Sequence, residues 1–308
     1  MIVSKKKARD PRDGLKISAT TATLFALAGH AFLGFEQTLL QMMVALLAGY
    51  ASSTLFEWVD ARANGRPPAF LGRGGKGLLM FLLPAHMSAV TISFLIYVNH
   101  HLWVMVFAVV AAIGSKYLFR VTLNGRKRHF MNPSNFGIAL TLLLFQWVAV
   151  IPYEYTEGLH GFWGPGDWIL PAAVVVLGTN LNVNFTRRMP VIIAFLVTFA
   201  LQATLRSVVL DTPLLAGFMP MTGLAFLLFS FYMITDPMTA PAKLRNQVIF
   251  GASIATVYLA LMLLHVVFTL FFAVTLVCAA RGVLIAVENW QAASAAQPAA
   301  APASMVLR

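Results

Sequence analysis

Long apolar segments separated by short polar stretches dominate the pattern of this chain. They predict ten membrane-spanning helices, at 15–35, 37–58, 77–98, 102–119, 133–152, 168–186, 189–210, 214–235, 246–264 and 266–287. A basic segment, 1–14, precedes them. The Ala/Pro/Ser-rich stretch 288–308 follows them and is too poor in large apolar residues to form a core. We therefore expect a cytoplasmic N-terminal segment (1–14), a transmembrane domain (15–287) and a disordered tail (288–308).

The composition supports an integral membrane protein. Of 308 residues, 59% are hydrophobic and only 11% are charged, which leaves too little polar surface for a water-soluble globule of this size. The single cysteine, Cys278, excludes an internal disulfide and a cysteine-ligated iron–sulfur cluster within this chain. Only His86 among seven histidines lies well inside a predicted span, so we do not expect a bis-histidine haem.

The basic residues are distributed asymmetrically about the predicted spans. The net charge is +11, yet of 22 lysines and arginines only Arg206 falls on the side opposite the N-terminus. Because cytoplasmic loops are enriched in Lys and Arg, both termini are predicted to be cytoplasmic. The positive charge is thereby explained by topology and the lipid bilayer, and we expect no nucleic-acid partner.

Two features suggest an internal repeat. Ten spans divide into two sets of five, and an odd number per set gives the halves opposite orientations in the membrane. Pro84 and Pro220 each lie in the third span of a half, as in folds whose broken helices meet at a shared site. Two ordinary proline kinks explain the same pattern. The expected fold is all-α, with two inverted five-helix repeats.

The stretch 223–241 ends an apolar span on a polar turn in which Asp236 stands between Thr235 and Pro237. A carboxylate at the end of a lipid-spanning helix is unfavourable unless it lies at the interface or meets hydrogen-bond donors. Thr235, Asp236 and Thr239 are therefore candidate cofactor-binding residues. The alternative is a helix stop, in which Pro237 ends the helix and Asp236 only lies in the exit turn.

Two further polar stretches contain candidates. Lys116 ends one span, and Asn132 precedes Pro133 at the start of the next, where its side chain is placed to cap the helix. Asn180 and Asn184 are four residues apart on one face of a helix. Asn132 followed by Pro133 also fits an ordinary helix start. Asn180 and Asn184 could bind a flavin or quinone, or join two helices by hydrogen bonds.

Four motifs in order resemble the D subunit of the Rnf electron-transport complex, a family related to the B subunit of the sodium-pumping NADH:quinone oxidoreductase. The first spans Lys116 to Leu143 and contains Lys116, Leu118, Phe119, Phe130, Asn132, Pro133, Gly137, Ala139, Leu140, Leu142 and Leu143. The others are TDPMTAP at 235–241, GLLMFLLP at 77–84 and RRMPVIIAF at 187–195. The resemblance covers about residues 15–287 and extends to a branch found with enediyne biosynthesis.

This resemblance implies ten spans in two inverted halves, a flavin, and electron transfer between membrane or soluble redox partners at a bacterial inner membrane. Family members with covalent FMN attach it to the threonine of an S-G-A-T motif, which this chain lacks. In the corresponding loop Thr156 stands between Glu154 and Glu157, where a phosphate would be repelled. We therefore expect any flavin, FMN or riboflavin, to be held non-covalently, or none to be bound.

Three functions from different classes remain open. The first, which we favour, is a membrane electron-transfer subunit in which the cofactor carries the chemistry and the protein orients it. The second is a transporter or channel that uses an inverted repeat without redox activity. The third is a structural membrane protein that docks soluble partners on its basic loops.

Overall fold

The computed structural model describes residues 11–32, 37–123, 125–150 and 165–296. In this part of the chain there are eleven helices: α1 (Pro11–Phe32), α2 (Leu39–Ala63), α3 (Gly74–Leu95), α4 (Leu102–Leu118), α5 (Pro133–Leu144), α6 (Pro165–Leu181), α7 (Met189–Leu210), α8 (Leu214–Phe218), α9 (Leu224–Leu228), α10 (Leu244–Leu263) and α11 (Thr269–Ala296). Two five-residue π-helical segments extend α6 and α9, at Asn182–Thr186 and Phe229–Met233, and a 3₁₀ segment, Met219–Thr222, follows α8. The fold is mostly helical, as predicted.

Four short strands in the described ranges depart from the all-α prediction. Strands β2 (Arg120–Leu123) and β3 (Arg126–His129) form an antiparallel hairpin in which Arg120 pairs with His129. Strands β1 (Ile96–Tyr97) and β4 (Ala149–Val150) form a second antiparallel pair. Each pair adjoins one end of α4. Because β2 and β3 pair with each other, the basic loop after α4 is an ordered hairpin.

The predicted number of ten spans is too high. Within the described ranges five helices, α2, α3, α7, α10 and α11, are long and apolar enough to cross a membrane. A sixth span is obtained if Leu214–Thr222 and Ala225–Met233, which meet at an angle of 68°, are taken as one broken span. Helices α4 and α5 have 17 and 12 residues, and at 1.5 Å per residue the shorter one reaches about 18 Å, against a hydrocarbon core of about 30 Å.

Helix α7 shows how the long helices meet lipid. Ile193, Val197, Leu201 and Leu205 recur every fourth residue and are 52–64% exposed, whereas Phe195 and Phe199 on another face are fully buried. A continuous exposed stripe of large aliphatic side chains is unfavourable in water and favourable against acyl chains. The chain is therefore a multi-pass membrane protein.

The helices pack in two groups with a similar arrangement. In the first, α2 contacts α3 and α4, α4 contacts α5, and α1 contacts α3. In the second, α7 contacts α8 and α10, α10 contacts α11, and α6 contacts α9. Gly137 brings α5 onto the Ala108 carbonyl of α4, and Gly251 brings α10 onto the Val191 carbonyl of α7, so closely that an added Cβ would overlap these atoms. Small residues at such crossings let membrane helices approach each other.

The two prolines expected to break matching helices behave differently. Pro84 lies inside α3, which runs without interruption from Gly74 to Leu95. Pro220 lies in the 3₁₀ segment between α8 and α9, at the bend of 68°. The prediction of a broken helix is therefore confirmed at Pro220 and wrong at Pro84.

Helix α11 joins the second group to the first. The side-chain amide of Asn135 in α5 donates to the Phe271 carbonyl and to Thr275 Oγ1, both at 2.9 Å. Farther along α11, Asn289 Nδ2 donates to the Thr122 carbonyl of the hairpin at 2.8 Å. Helix α11 extends to Ala296, so the first part of the predicted tail is helical, and 297–308 lie outside the described residues.

Candidate functional site

The π-helical segment Phe229–Met233 is held by two buried asparagines from other parts of the chain. Asn132 Nδ2 donates to the Met233 carbonyl at 2.8 Å. Asn182 Nδ2 donates to the Phe231 carbonyl at 2.7 Å and to the Gly178 carbonyl at 2.9 Å. A π-helical segment interrupts the regular hydrogen-bond ladder of a helix, and such segments are frequent at functional sites. Here the side-chain amides of Asn182, directly after α6, and of Asn132, at the start of α5, fix its geometry.

Asn132 also begins α5, as the sequence predicts. Its side-chain oxygen accepts from the Asn135 N–H at 3.0 Å, and Pro133 occupies the first helical turn. Together with its bond to the Met233 carbonyl, this cap makes one residue connect α5 to the π-helical segment. This exceeds the role of an ordinary helix cap.

The turn that follows the π-helical segment is organised by Asp236. Its carboxylate accepts from the Met238 N–H and from Thr239 Oγ1, both at 3.1 Å, and its main-chain carbonyl accepts from the Ala240 N–H at 2.8 Å. Thr235 Oγ1 donates to the Phe231 carbonyl at 2.8 Å. Thr235 and Thr239 are buried, and Asp236 is half-buried. The three residues shape the exit turn, as the helix-stop alternative requires.

Four basic side chains surround this turn and, together with Asp236, define what we call the cationic cluster: Lys116, His129, Arg188 and Arg281. Lys116, His129 and Arg188 lie within electrostatic reach of Asp236, although none forms a direct ion pair with it among the described residues. Arg281 Nη1 donates to the Thr239 carbonyl at 2.8 Å. Lys116 Nζ donates to the Pro84 carbonyl at 3.3 Å. A single carboxylate thus faces several positive groups.

Burial affects the charge of this cluster. It lowers the pKa of His129, and the positive charges of Lys116, Arg120 and Arg128 lower it further, against the opposing effect of Asp236. Burial likewise lowers the pKa of Arg188, whose side chain is only 9% exposed and whose Nε has no hydrogen-bond partner in the described part of the chain. An anion placed here would meet donors that are already desolvated, where charge-assisted hydrogen bonds are strong.

A network of ion pairs, which the sequence did not reveal, lies beside the cluster. Arg66 pairs with Glu57 and Asp60 of α2, and Arg120 Nη1 pairs with Asp60 Oδ1 at 2.7 Å. Arg120 also donates from Nε to the Lys116 carbonyl at 2.8 Å. The hydrogen bond from Arg66 to Glu57 is the main cause that raises the pKa of Arg66 above its ordinary value. This network fixes β2 to α2 and so positions the end of α4.

The remaining predicted site residues have other roles or positions. Asn180 and Asn184 are exposed and hydrogen-bond to each other at 2.6 Å, while the buried asparagine of that stretch is Asn182. The polar run 177–184 contains Asn182, but the sequence argument selected Asn180 and Asn184 because they are four residues apart. In a π-helical segment the buried positions do not follow the α-helical period, so that spacing did not identify the buried asparagine. Thr156 lies outside the described residues.

His86 is a structural link and not a free ligand. Its two ring nitrogens are hydrogen-bonded to the Tyr50 hydroxyl at 2.7 Å and to Thr23 Oγ1 at 2.8 Å. The ring also stacks on Tyr50, with ring centroids 6.2 Å apart. His86 therefore ties α1, α2 and α3 together.

No known family model matches this chain, and no curated protein matches it either. The resemblance to the D subunit of the Rnf complex stays an expectation.

Proposed function

We propose that this chain is a multi-pass membrane electron-transfer subunit that holds a flavin nucleotide non-covalently and passes electrons between partner redox subunits. The observation that carries the proposal is the cationic cluster at the end of the π-helical segment. Its donors fit the phosphate of FMN, because the basic groups of Lys116, His129 and Arg188 outnumber the one carboxylate that they face. In addition, the Nε of Arg188 has no partner in the described part of the chain. A bound flavin would supply the redox chemistry, and the protein would orient it.

The proposal includes an inverted repeat that relates the first helix group to the second, and both termini in the cytoplasm of a bacterial inner membrane. The similar packing of the two helix groups supports the repeat. The arginine and lysine distribution supports the orientation, which puts the cluster near the cytoplasmic face. Reporter fusions after Arg128 and at the C-terminus are expected to read cytoplasmic. A fusion within 153–167 is expected to read external, and a cytoplasmic signal there would contradict this topology.

A transporter or channel without redox activity is the second candidate. The bend of 68° at Pro220 favours it, because broken helices often line the solute sites of transporters. Flux of small anions into proteoliposomes tests it. Solute flux by flavin-free protein would favour the transporter over the redox subunit.

Absorption spectra of the purified protein test the redox proposal. We expect a flavin spectrum that is bleached by dithionite, and FMN in the supernatant after denaturation. On a denaturing gel the protein band is expected to show no flavin fluorescence, because the linkage is non-covalent. A fluorescent band would contradict the predicted linkage, and if Thr156→Val abolished that fluorescence, Thr156 would be the attachment site. Protein that neither contains flavin nor binds added FMN would contradict the function itself.

A further inference from the structure

A cavity of about 110 Å³ lies between α1, α3, α6 and the π-helical segment Phe229–Met233. Helices α1 and α3 belong to the first helix group, and α6 and the π-helical segment belong to the second. The cavity lies where the two groups meet. Its walls contain none of the basic side chains of the cationic cluster, so the cavity is a site separate from the one proposed for the flavin phosphate.

The walls are apolar apart from a few hydroxyl groups. Phe25 and Phe94, whose rings are 5.7 Å apart and perpendicular, line it together with residues such as Met87 and Val174. Apolar walls of this kind exclude a charged ligand, because burying an unpaired charge is very costly. They suit a neutral, lipid-soluble molecule.

Three hydroxyl groups of the walls are unused. The side chains of Ser18, Thr21 and Thr91 line the cavity, and their hydroxyls form no hydrogen bond with any residue that the structure describes. Nearby hydroxyls on the same helices behave differently, since Thr23 Oγ1 donates to the Ala19 carbonyl at 2.8 Å and Ser88 Oγ donates to the Pro84 carbonyl at 3.0 Å. Hydroxyls of membrane helices usually bond to their own backbone, so three free ones beside a cavity are available to a ligand.

The size of the cavity limits the ligand. The volume of about 110 Å³ is of the same order as that of an apolar cavity of about 150 Å³ that binds one benzene molecule, so the ligand is a single small ring. A ligand oxygen suits these walls, since each of the hydroxyls of Ser18, Thr21 and Thr91 carries an O–H group that can donate to it.

We propose that this cavity binds a neutral, lipid-soluble ring of five or six atoms that bears a carbonyl or ether oxygen, with the hydroxyls of Ser18, Thr21 and Thr91 as donors. The apolar walls supply the hydrophobic contact, and the hydroxyls distinguish an oxygenated ring from a hydrocarbon. Because α1 and α3 face α6 and the π-helical segment across it, an occupant bridges the two helix groups.

The test compares cyclohexanone with methylcyclohexane, two rings of similar size of which only the first has an acceptor. Binding to the full-length protein in detergent is measured by saturation-transfer NMR, with empty micelles subtracted. We expect both rings to bind, and we expect only the affinity for cyclohexanone to depend on the hydroxyls. Thr91→Val removes one hydroxyl at nearly constant volume. It should lower the affinity for cyclohexanone by about two- to twelvefold, the equivalent of one hydrogen bond, and leave the affinity for methylcyclohexane unchanged.

Two further variants complete the test. Ala22→Leu places a larger side chain on the cavity wall and should abolish binding of both rings. Thr20→Val changes an exposed threonine of α1 that does not line the cavity and should bind both rings as the unmodified protein does. If Thr91→Val lowered the affinities for cyclohexanone and methylcyclohexane by the same factor, the hydroxyl would not recognise the ketone oxygen, and the proposal would be overturned. Cyclohexanone affinity that is unaffected by Thr91→Val in folded protein would also overturn it.

Discussion

The side-chain amide of Asn132 donates a hydrogen bond to the main-chain carbonyl of Met233 at 2.8 Å, across 101 positions of the chain. The same asparagine caps α5 through its side-chain oxygen. Both polar ends of one buried side chain are therefore used, one within its own helix and one on the π-helical segment that leads to Asp236. The start of α5 and the position of the cationic cluster depend on the same residue.

Replacing Asn132 should cost more than the loss of a helix cap. Asn132→Ala removes the cap, worth about 1 kcal/mol, and leaves the buried Met233 carbonyl unpaired at about 1–3 kcal/mol. The sum is about 2–4 kcal/mol in the free energy of unfolding, measured by denaturation in mild detergent. Thr38→Ala, which removes only the cap of α2, is the matched control and should cost about 1 kcal/mol. Equal losses in the two variants would show that the bond to Met233 contributes nothing.

Gly251 is predicted to be required for the contact between α7 and α10. In Gly251→Ala the new Cβ would overlap the Val191 carbonyl, and separating the helices should cost about 1–3 kcal/mol. Gly75→Ala is the control, because nothing lies within 4 Å of the position of its Cβ. In a helix this second change should stabilise by up to about 1 kcal/mol. Similar melting temperatures for both variants would contradict the close packing.

Stability should fall as the pH is lowered below about 6.5, the ordinary pKa of histidine. His129 has a lowered pKa in the folded protein, so its neutral form is favoured there, and the unfolded chain takes up the proton first. The contribution of His129 is complete above about pH 6.5 and is lost as the pH falls towards its lower folded pKa. Melting temperatures between pH 7.5 and 5 should depend less on pH in His129→Gln, while His100→Gln, at the other end of α4, should retain the slope. An unchanged slope in His129→Gln would rule out this origin.

Gln202 is predicted to be a source of instability. It is 5% exposed in α7, and neither its amide nitrogen nor its oxygen has a partner among the residues described. Gln202→Leu removes both unpaired atoms and should stabilise by about 1–3 kcal/mol. In Gln247→Leu, by contrast, a bond of 3.0 Å to the Ala242 carbonyl is lost, and destabilisation is expected. A destabilised Gln202→Leu would indicate that this glutamine has a partner after all.

How far the sequence predicts the structure is clear from particular residues. Asn132 and Pro133 were identified correctly as the start of α5, because capping is a local property of a few neighbouring positions. The span count was too high, since apolar stretches such as α5 predict burial but do not fix helix length. The hairpin Arg120–His129 carries a run of basic residues that resembles a flexible loop. Its order comes from the ion pair of Arg120 with Asp60 of α2 and from contacts with α11.

The candidate site was only partly predictable, because several of its residues are brought together by contacts between distant parts of the chain. Lys116, Asn132, Thr235, Asp236 and Thr239 were named from the sequence, and the fold brings them into one region. His129, Arg188 and Arg281 were missed as site residues, because they look like ordinary cytoplasmic charges until the turns that place them are known. Asn182 was missed because the π-helical segment shifts the register of buried positions.

The most direct measurement of the central claim is the binding of FMN and riboflavin to the purified, flavin-depleted protein by equilibrium dialysis. The two ligands share one ring system and differ by a phosphate, so only FMN should engage the cationic cluster. The account predicts tighter binding of FMN than of riboflavin, a preference that is reduced at least tenfold by Lys116→Gln or Arg188→Gln and is kept in Lys127→Gln, which changes an exposed lysine of the hairpin. Equal affinity for the two ligands, or an FMN preference that survives both cluster variants, would contradict it.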